Sequence, residues 1–369
     1  MTKQNIIGVG VLIVIALVIG FIETSKPQQS NIGAQEIVLD ANERTTAKNA
    51  LYERAKEITT PDGFINTEPF ELADYIGNKV VLVEFWTYSC INCQRVIPYL
   101  NTWHTKYESD GLVIVGIHTP EFEFEKDYDN VVRAVEKYEV PWKVVLDNDY
   151  STWRAYKNQY WPRKYLIDID GYIVYDHIGE GAYNETEEKI VELLNERRAV
   201  LGEGGVVAVK DGTPDNVQQV DFQKVKTPET YLGSLRIQRL ANLTDSQCLN
   251  GTCVYSFATK PLDGYELDGE WTITPEFSQN TGAASLRIPF TASKVNLVAG
   301  SDTPVRARIL IDGSVVDSAQ AGAAVVNGEV TFTDTDLYNL IDLNGAYETH
   351  ILEIQFLDAG VEAFAFTFG

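Results

Sequence analysis

The order of hydrophobic and polar residues changes twice along this chain and divides it into three parts. Residues 6–22 are one unbroken apolar run. Between residues 64 and 198, short apolar runs alternate with stretches of helical periodicity, and from about residue 231 short runs of alternating residues replace the helical period. Because helices repeat every ~3.6 residues and strands every two, the pattern predicts a membrane segment, an α/β domain and a β-rich domain.

The middle part is predicted to be an α/β domain over residues 45–200. Its apolar runs are continuous rather than alternating, which is typical of strands covered on both faces. Asp170-Gly171 is a turn signal that should make a hairpin of the last two strands. Strands are predicted at residues 80–86, 112–117, 143–146, 165–168 and 172–178, and helices at 45–58, 90–107, 129–138, 150–158 and 184–198.

The last part is predicted to be an antiparallel β-sandwich of jelly-roll type over residues 227–369. Glycine- and proline-containing turns in residues 201–226 mark a linker before it. Asp312-Gly313 is a strong hairpin signal within it. Strands are predicted at residues 285–290, 305–311, 330–333, 351–356 and 363–368.

The apolar run at residues 6–22 predicts a signal anchor. As a helix it would span about 25 Å, close to the ~30 Å of a hydrocarbon core. The residues after it, 23–27 (ETSKP), contain neither a small-residue cleavage pattern nor a cysteine for lipid attachment. We therefore expect residues 1–25 to be an uncleaved anchor, with a cleaved signal peptide as the alternative, and residues 26–44 to be a polar tether. Lys3 favours a cytoplasmic amino terminus, although Lys26 weakens that bias. The bulk of the chain would then be periplasmic or extracellular.

Charge and cysteine content exclude some partners. The net charge of -23 makes nucleic acid an unlikely partner, because binding there depends on Lys and Arg neutralising phosphates. The four cysteines form two local pairs, Cys90/Cys93 and Cys248/Cys253, which fits an oxidising compartment. The pairs lie in different predicted domains and no histidine has zinc-site spacing near them, so we expect no metal.

Cys90 and Cys93 lie between a predicted strand and a predicted helix and form the candidate redox site. At a helix N-terminus, the first sulfur becomes a nucleophilic thiolate. Cys90 would attack a disulfide of a partner, and Cys93 would then attack Cys90 and release the partner. The pair itself would be the redox group, with no other cofactor. A structural disulfide or half of a metal site is the alternative for these residues.

Glu84 is the candidate base for Cys93. It lies in the apolar run, between Val83 and Phe85, where burial would raise its pKa and let it take the thiol proton directly or through water. The alternative is a solvated carboxylate at a strand edge.

Two segments around this site resemble the thioredoxin family. Residues 84–93 (EFWTYSCINC) are similar to the family's active-site segment, including a buried acid six residues before the first cysteine. Residues 160–168 (YWPRKYLID) resemble the segment that carries the family's cis-proline, here Pro162. The interval between Cys93 and Pro162 holds an extra helix and strand, as in the TlpA/ResA-like branch.

Other segments are more specifically similar to DipZ-type exported thioredoxin domains. Residues 116–122 (GIHTPEF) and 146–150 (LDNDY) carry that likeness in the α/β part. Residues 227–233 (TPETYLG) and 362–369 (EAFAFTFG) resemble the carbohydrate-binding-module-like domain of the same proteins. The likeness covers about residues 60 to 369.

The resemblance implies a thioredoxin fold and thiol–disulfide exchange with exported proteins. In cis, Pro162 would leave nearby backbone free to pair with the substrate chain. Trp86 and Trp161 would wall the substrate groove, with packing as the alternative for Trp86. DipZ-type proteins carry a multi-span CcdA-like unit where this sequence has a single apolar run, so we expect a separate membrane electron donor of CcdA type.

Several residues near the site have an ordinary structural interpretation as well. His118 ends a predicted strand and would be either a base or, as we expect, a hydrogen-bonded structural histidine. The acidic stretch at residues 121–129 would be a solvated helix start, or else a docking patch for a basic partner.

The β-rich part offers two candidate features. Cys248 and Cys253 flank Asn250-Gly251, so a disulfide is expected to pin a tight hairpin there. Tyr255, Tyr265 and Trp271 are expected to lie in the core of the sandwich, with an aromatic platform for a glycan as the alternative.

The sequence therefore predicts an extracytoplasmic, membrane-anchored thiol–disulfide oxidoreductase, and two other functions remain open. Thr87 precedes Cys90 with the Thr-x-x-Cys spacing of peroxiredoxins, although the usual upstream proline is missing and Cys93 already offers a resolving thiol. A non-enzymatic envelope protein that binds glycans or acts as a scaffold is the other alternative. The direction of electron flow does not follow from the Ile91-Asn92 dipeptide.

Overall fold

The computed structural model describes residues 41–214 and 217–369. The predicted signal anchor and residues 26–40 of the predicted tether lie outside these residues. Within the described ranges, no helix has both the length and the apolar character needed to cross a membrane.

The first described helix, α1 (Ala41–Asn49), is shorter than predicted. The helix prediction for residues 45–58 is wrong in its second half, because residues Glu53–Arg54 form strand β1 instead. These two residues pair with Ile173 and Tyr172 at the edge of the main sheet. An open sheet edge offers backbone hydrogen-bond partners that outweigh a weak local helix preference.

The α/β domain contains one mixed sheet flanked by helices. Its further strands are β2 (Gly63–Ile65), β3 (Val80–Trp86), β4 (Leu112–His118), β5 (Lys143–Leu146), β6 (Arg163–Ile167) and β7 (Tyr172–Ile178). They lie in the order β1-β7-β6-β3-β4-β5-β2, with β3, β4 and β5 parallel and β6 and β7 an antiparallel hairpin. The α/β prediction is confirmed as a thioredoxin fold, whose cysteine pair starts the helix after β3.

The other helices of this domain follow their predicted positions, with the exception of α4. They are α2 (Ile91–Tyr107), α3 (Tyr128–Lys137), α4 (Ser151–Ala155) and α5 (Tyr183–Leu201). Helix α4 is only five residues long, against the prediction of residues 150–158. Tyr150 and Lys157 have left-handed backbone conformations with φ of 60° and 51°, which stop the helix at both ends.

Strand β3 is buried on both faces, and its side chains alternate between two hydrophobic cores. Val80, Leu82 and Trp86 pack in the core that also contains residues of α2 and α5. Val81, Val83 and Phe85 pack in the core on the opposite face. With a period of two, Glu84 falls on the same face as Leu82 and Trp86, which is the face covered by α2 and its cysteines.

Gly116 allows two tryptophans to pack beside Glu84. It is the β4 partner of Glu84, and a Cβ atom there would lie 2.1 Å from the Trp142 ring and 2.8 Å from Trp86 Nε1. Both rings are buried and cannot move into solvent.

We therefore expect Gly116→Ala to lower the free energy of unfolding by about 1–3 kcal/mol, the usual range for overpacking a core. Urea denaturation followed by tryptophan fluorescence measures this. Gly204→Ala is the matched control, because a Cβ there meets nothing within 4 Å, and its effect should stay within about 0.5 kcal/mol. Equal stability of the two variants would contradict the expectation.

The second domain is all β, and its two antiparallel ladders share one strand, β10. Its strands are β8 (Thr230–Tyr231), β9 (Thr252–Tyr255), β10 (Glu266–Ile273), β11 (Ser278–Asn280), β12 (Ala284–Ala292), β13 (Lys294–Gly300), β14 (Val305–Ile311), β15 (Ser314–Val315), β16 (Glu329–Phe332), β17 (Asp336–Asp342), β18 (Glu348–Phe356) and β19 (Glu362–Phe368). One ladder runs β15-β14-β18-β12-β10 and the other β10-β11-β19-β13-β17. Side chains of both ladders meet in a single hydrophobic core. An all-β domain is thus confirmed, while its jelly-roll type stays a prediction.

Of the two turns expected to form hairpins in this domain, one does and the other does not. Asp312-Gly313 joins β14 to β15 as an antiparallel hairpin, as predicted. The hairpin predicted at Asn250-Gly251 is wrong, because this turn follows a short 3₁₀ helix (Ser246–Cys248) rather than a strand. Cys248 and Cys253 are joined by a disulfide across that turn.

The core position expected for three aromatic residues is confirmed, and the alternative of a glycan platform is wrong for them. Tyr255, Tyr265 and Trp271 are all buried, and they belong to the hydrophobic core of the β domain. The Trp271 indole N–H donates to the Asp268 carbonyl oxygen at 3.0 Å. Their apolar area is used for packing, so they offer no surface on which a sugar ring could stack.

Candidate active site

Cys90 lies at the junction between strand β3 and helix α2, where its sulfur caps the helix. Cys90 is the N-cap residue, and the backbone N–H of Cys93 donates to its Sγ at 3.3 Å. Cys90 is partly exposed, Cys93 is buried, and both are free thiols. Cys90 therefore places its sulfur at the N-terminus of the helix, and it is the sulfur of the pair that a partner can reach.

The two cysteines differ in reactivity because Cys93 is buried and Cys90 is partly exposed. Burial raises the pKa of the Cys93 thiol well above its ordinary value, and the adjacent Cys90 sulfur raises that pKa further. Cys93 therefore stays protonated near neutral pH and needs a base before it can act as a nucleophile.

Glu84 has the properties of that base. It is buried on β3, and within the described residues neither of its carboxylate oxygens has a hydrogen-bond partner. Burial raises its pKa to about 7, and the Lys164 ammonium opposes the rise. Its charge also acts on Cys93, whose pKa it helps to raise. A carboxyl group that titrates near neutrality can take up and return a proton under working conditions.

Lys164 is a component of the site that sequence reasoning missed. It lies opposite Glu84 in the β3–β6 register, is fully buried, and its Nζ is 3.9 Å from Glu84 Oε1. Strand β6 begins at Arg163, two residues before the predicted start, which brings Lys164 into the sheet. The one signal in the sequence was a lysine beside the apolar run 165–167, and its meaning depends on knowing which strand pairs with β3.

Pro162 and Trp161 flank the site from the start of β6. The Trp161–Pro162 peptide bond is cis, and the Pro162 carbonyl oxygen accepts the Gly179 N–H at 2.8 Å. The Trp161 indole N–H donates to the Thr119 carbonyl oxygen at 2.9 Å, and its ring packs on Trp153 with centroids 4.2 Å apart. Trp161 is partly exposed, as a groove wall requires.

Trp86 does not wall a groove. It is buried, and its ring packs edge-on against Trp142 and His118 with centroids 5.4 Å and 5.2 Å away. The groove prediction for Trp86 is wrong because the strand period points this side chain into the core beneath α2, and the packing alternative holds.

His118 is a buried structural histidine. Burial lowers its pKa to about 3, so the imidazole is neutral at neutral pH. Its Nε2 lies 3.3 Å from Thr87 Oγ1, and its ring stacks on Tyr88. These contacts support the turn that leads to Cys90.

The acidic stretch at residues 121–129 is not uniformly solvated. Glu125 has no exposed surface, and burial raises its pKa to about 7, with the Glu121 charge contributing. The solvated-helix interpretation is wrong for this residue, because Glu125 lies in a short 3₁₀ helix (Glu123–Lys126) and its carboxylate folds back to accept the backbone N–H groups of Glu121 and Phe122. Asp127, in contrast, does cap a helix, since its carboxylate accepts the N–H groups of Asp129 and Asn130 at the start of α3.

Fold and site together define a thioredoxin-fold domain with a CxxC pair at the start of its long helix. A family described as "AhpC/TSA family" matches residues 51–176, and one described as "Thioredoxin like C-terminal domain" matches residues 227–369. Protein DipZ of Mycobacterium tuberculosis is 34% identical over 255 residues, which are 66% of this chain and 35% of that protein. The chain is thus a homologue of DipZ that spans about a third of its length.

Two shorter relatives match the α/β domain. Thiol-disulfide oxidoreductase YkuV of Bacillus subtilis is 26% identical over 140 residues, 38% of this chain and 93% of that protein. Thiol-disulfide oxidoreductase ResA of Bacillus thuringiensis is 29% identical over 124 residues, 34% of this chain and 66% of that protein. The resemblance to TlpA/ResA-like and DipZ-type domains is confirmed.

Proposed function

We propose that this protein is a thiol–disulfide oxidoreductase that exchanges disulfides with other proteins through Cys90 and Cys93. The observation that carries the proposal is the pairing of a helix-capping, partly exposed Cys90 with a buried Cys93 above the buried Glu84. The names of YkuV and ResA support it, since both are called thiol-disulfide oxidoreductases.

The two thiols account for a complete reduction of a partner disulfide. The Cys90 thiolate attacks one sulfur of that disulfide, so the S–S bond of the partner breaks, a mixed disulfide forms and one partner thiolate leaves. Glu84 then takes the Cys93 proton, and the Cys93 thiolate attacks Cys90 Sγ and expels the second partner thiolate. The partner gains two electrons, and Cys90 and Cys93 end as a disulfide. In the reverse direction the same steps oxidise a partner.

Location, partners and electron supply extend this proposal. The apolar run at residues 6–22 supports a membrane anchor with the folded domains in the periplasm or outside the cell. Exported protein thiols and disulfides would then be the partners, and a membrane donor of CcdA type would return electrons to the cysteine pair. The pair would serve as the redox group with no further cofactor.

Thiol peroxidase activity is the second candidate, and the AhpC/TSA match over residues 51–176 favours it. Against it, the hydroxyl of Thr87 is buried and faces His118, at 3.3 Å from Nε2.

Two assays on the reduced full-length protein separate these functions. We expect it to reduce insulin disulfides with dithiothreitol as the electron source, and to consume hydrogen peroxide no faster than free dithiothreitol does. The AhpC/TSA-type alternative gives the opposite pair of results. A protein inactive in both assays would refute the proposed chemistry.

A further inference from the structure

A second buried carboxylate lies behind the turn that leads into Cys90. Glu125 Oε1 accepts a hydrogen bond from the hydroxyl group of Ser89, the residue before Cys90, and the two oxygens are 2.6 Å apart. Its other oxygen, Oε2, accepts the backbone N–H groups of Glu121 and Phe122 at 2.5 and 3.0 Å. One buried side chain therefore connects the turn before Cys90 to residues 121–126, which we name the docking segment.

The docking segment also packs on the β-rich domain. The rings of Phe122 and Phe124 lie with their centroids 5.2 and 4.8 Å from that of Phe364 on strand β19. These three rings belong to a small apolar cluster formed by residues of both domains.

Glu121 adds a polar contact between the docking segment and the β-rich domain. Its Oε1 accepts from Arg236 Nη1 at 2.6 Å and from the Tyr231 hydroxyl at 2.8 Å. The Arg236 guanidinium in turn lies over the Tyr231 ring, 3.8 Å from its centroid. The β-rich domain therefore contacts Glu121 and Phe122, the two residues of the docking segment whose N–H groups hold the Glu125 carboxylate.

We propose that Glu125 is a positioning residue for Cys90, and that the β-rich domain acts on the cysteine site through it by fixing the docking segment. The inference rests on the proposed thiol chemistry at Cys90 and on no particular substrate.

The hydrogen bonds of the Glu125 carboxylate explain why a movement of the docking segment would reach Ser89. A fully buried carboxylate is stable only while its donors stay in place, because an unsatisfied buried charge is costly. If the docking segment moves away, the N–H groups of Glu121 and Phe122 leave Oε2, and the carboxylate and Ser89 must rearrange. The backbone around Ser89 sets the direction of Cys90 Sγ relative to the first turn of α2, where that sulfur accepts the Cys93 N–H.

The test measures the rate at which iodoacetamide alkylates Cys90 in the reduced full-length protein from about pH 5 to 9. Ser89→Ala removes the short hydroxyl hydrogen bond on the cysteine side and leaves only the longer contact of the Ser89 backbone N–H, at 3.4 Å. Arg236→Gln and Tyr231→Phe each remove one contact on the β-domain side, and the double variant Ser89→Ala/Arg236→Gln tests whether the two sides are coupled. Arg239→Gln is the matched control, since Arg239 makes a similar ion pair with Asp263 inside the β-rich domain.

We expect each of the three single variants to slow alkylation at neutral pH by about three- to tenfold and to change its pH profile, because Cys90 Sγ loses its position at the first turn of α2. The double variant should be no slower than the slower single variant, since both changes break one connection. Arg239→Gln should match the wild type. Circular dichroism checks that each variant is folded, and Tyr231→Phe, which removes one oxygen atom, replaces Arg236→Gln if that variant is not.

Two results would overturn the inference. One is a wild-type profile in both Arg236→Gln and Tyr231→Phe, and the other is a double variant whose effect equals the product of the single effects. If the variants show these alkylation changes but the wild-type protein fails to reduce insulin, the proposed function is refuted and the inference stands.

Discussion

Cys93→Ser should accumulate mixed disulfides between Cys90 and partner proteins, whereas Cys90→Ser should lose disulfide exchange altogether. Cys90 is the sulfur that a partner can reach, and Cys93 is buried one helical turn behind it. Without Cys93 the first attack still proceeds, but no neighbouring thiol releases the partner. Without Cys90 there is no accessible nucleophile, and insulin reduction should fall by roughly a thousandfold or more.

Non-reducing electrophoresis of cell extracts, followed by mass spectrometry of the trapped species, measures this result and identifies the partners. The double variant Cys248→Ser/Cys253→Ser is the matched control. It also replaces cysteine by serine, but in the other domain, where the two residues form a disulfide. It should exchange disulfides at the wild-type rate. Full insulin reduction by both Cys90→Ser and Cys93→Ser would exclude the mechanism.

Glu84→Gln should slow the second half of the reaction by about a hundredfold while leaving the first half unchanged. The amide cannot accept the Cys93 proton, but Cys90 does not depend on Glu84 for its attack. A mixed disulfide of Cys90 with thionitrobenzoate isolates this step, because Cys93 then releases a coloured thiolate. Release should be slow in Glu84→Gln, and reaction of Cys90 with the starting reagent should keep its wild-type rate.

The pH dependence of this release follows from the pKa of Glu84. Only the ionised carboxylate is a base, so the wild-type rate should rise with pH through about 7 and then level off. Lys164 lowers that pKa, so Lys164→Met should move the midpoint to higher pH, and Glu84→Gln should remove it. A midpoint that does not move in Lys164→Met would show that the pair does not control the step.

Ionisation of Glu84 also affects stability. Its pKa is raised in the folded protein from an ordinary value of 4.5 to about 7. The folded state therefore binds this proton more tightly than the unfolded state, and the associated stability is complete below about pH 4.5 and lost as the pH rises through about 7. Lys164→Met should steepen that loss, because the buried carboxylate then has no cation beside it.

The sequence was most informative where one local pattern determined one element. The continuous apolar run of β3 and the cysteine spacing after it were sufficient to place Cys90 at a helix start and Glu84 under that helix. The Asp312-Gly313 turn likewise needed only local rules. These features depend only on residues that are close together in the sequence.

The parts that the sequence did not predict depend on contacts between distant segments. Lys164 faces Glu84 only because β6 pairs with β3 in one particular register. Glu125 is buried because the docking segment packs between the cysteine turn and the β-rich domain, although its sequence surroundings are acidic. Periodicity does not encode such long-range burial.

Lys48 of helix α1 binds at the end of the sheet that lies away from Cys90. Lys48 Nζ lies 2.6 Å from Asp168 Oδ2 and 2.5 Å from Glu196 Oε1, so α1 is held at the turn that follows β6. Because β6 runs antiparallel to β3, that turn lies at the end of the sheet away from Cys90, about 20 Å along the strand. The contacts of Lys48 and the cysteine pair therefore occupy opposite ends of the same sheet.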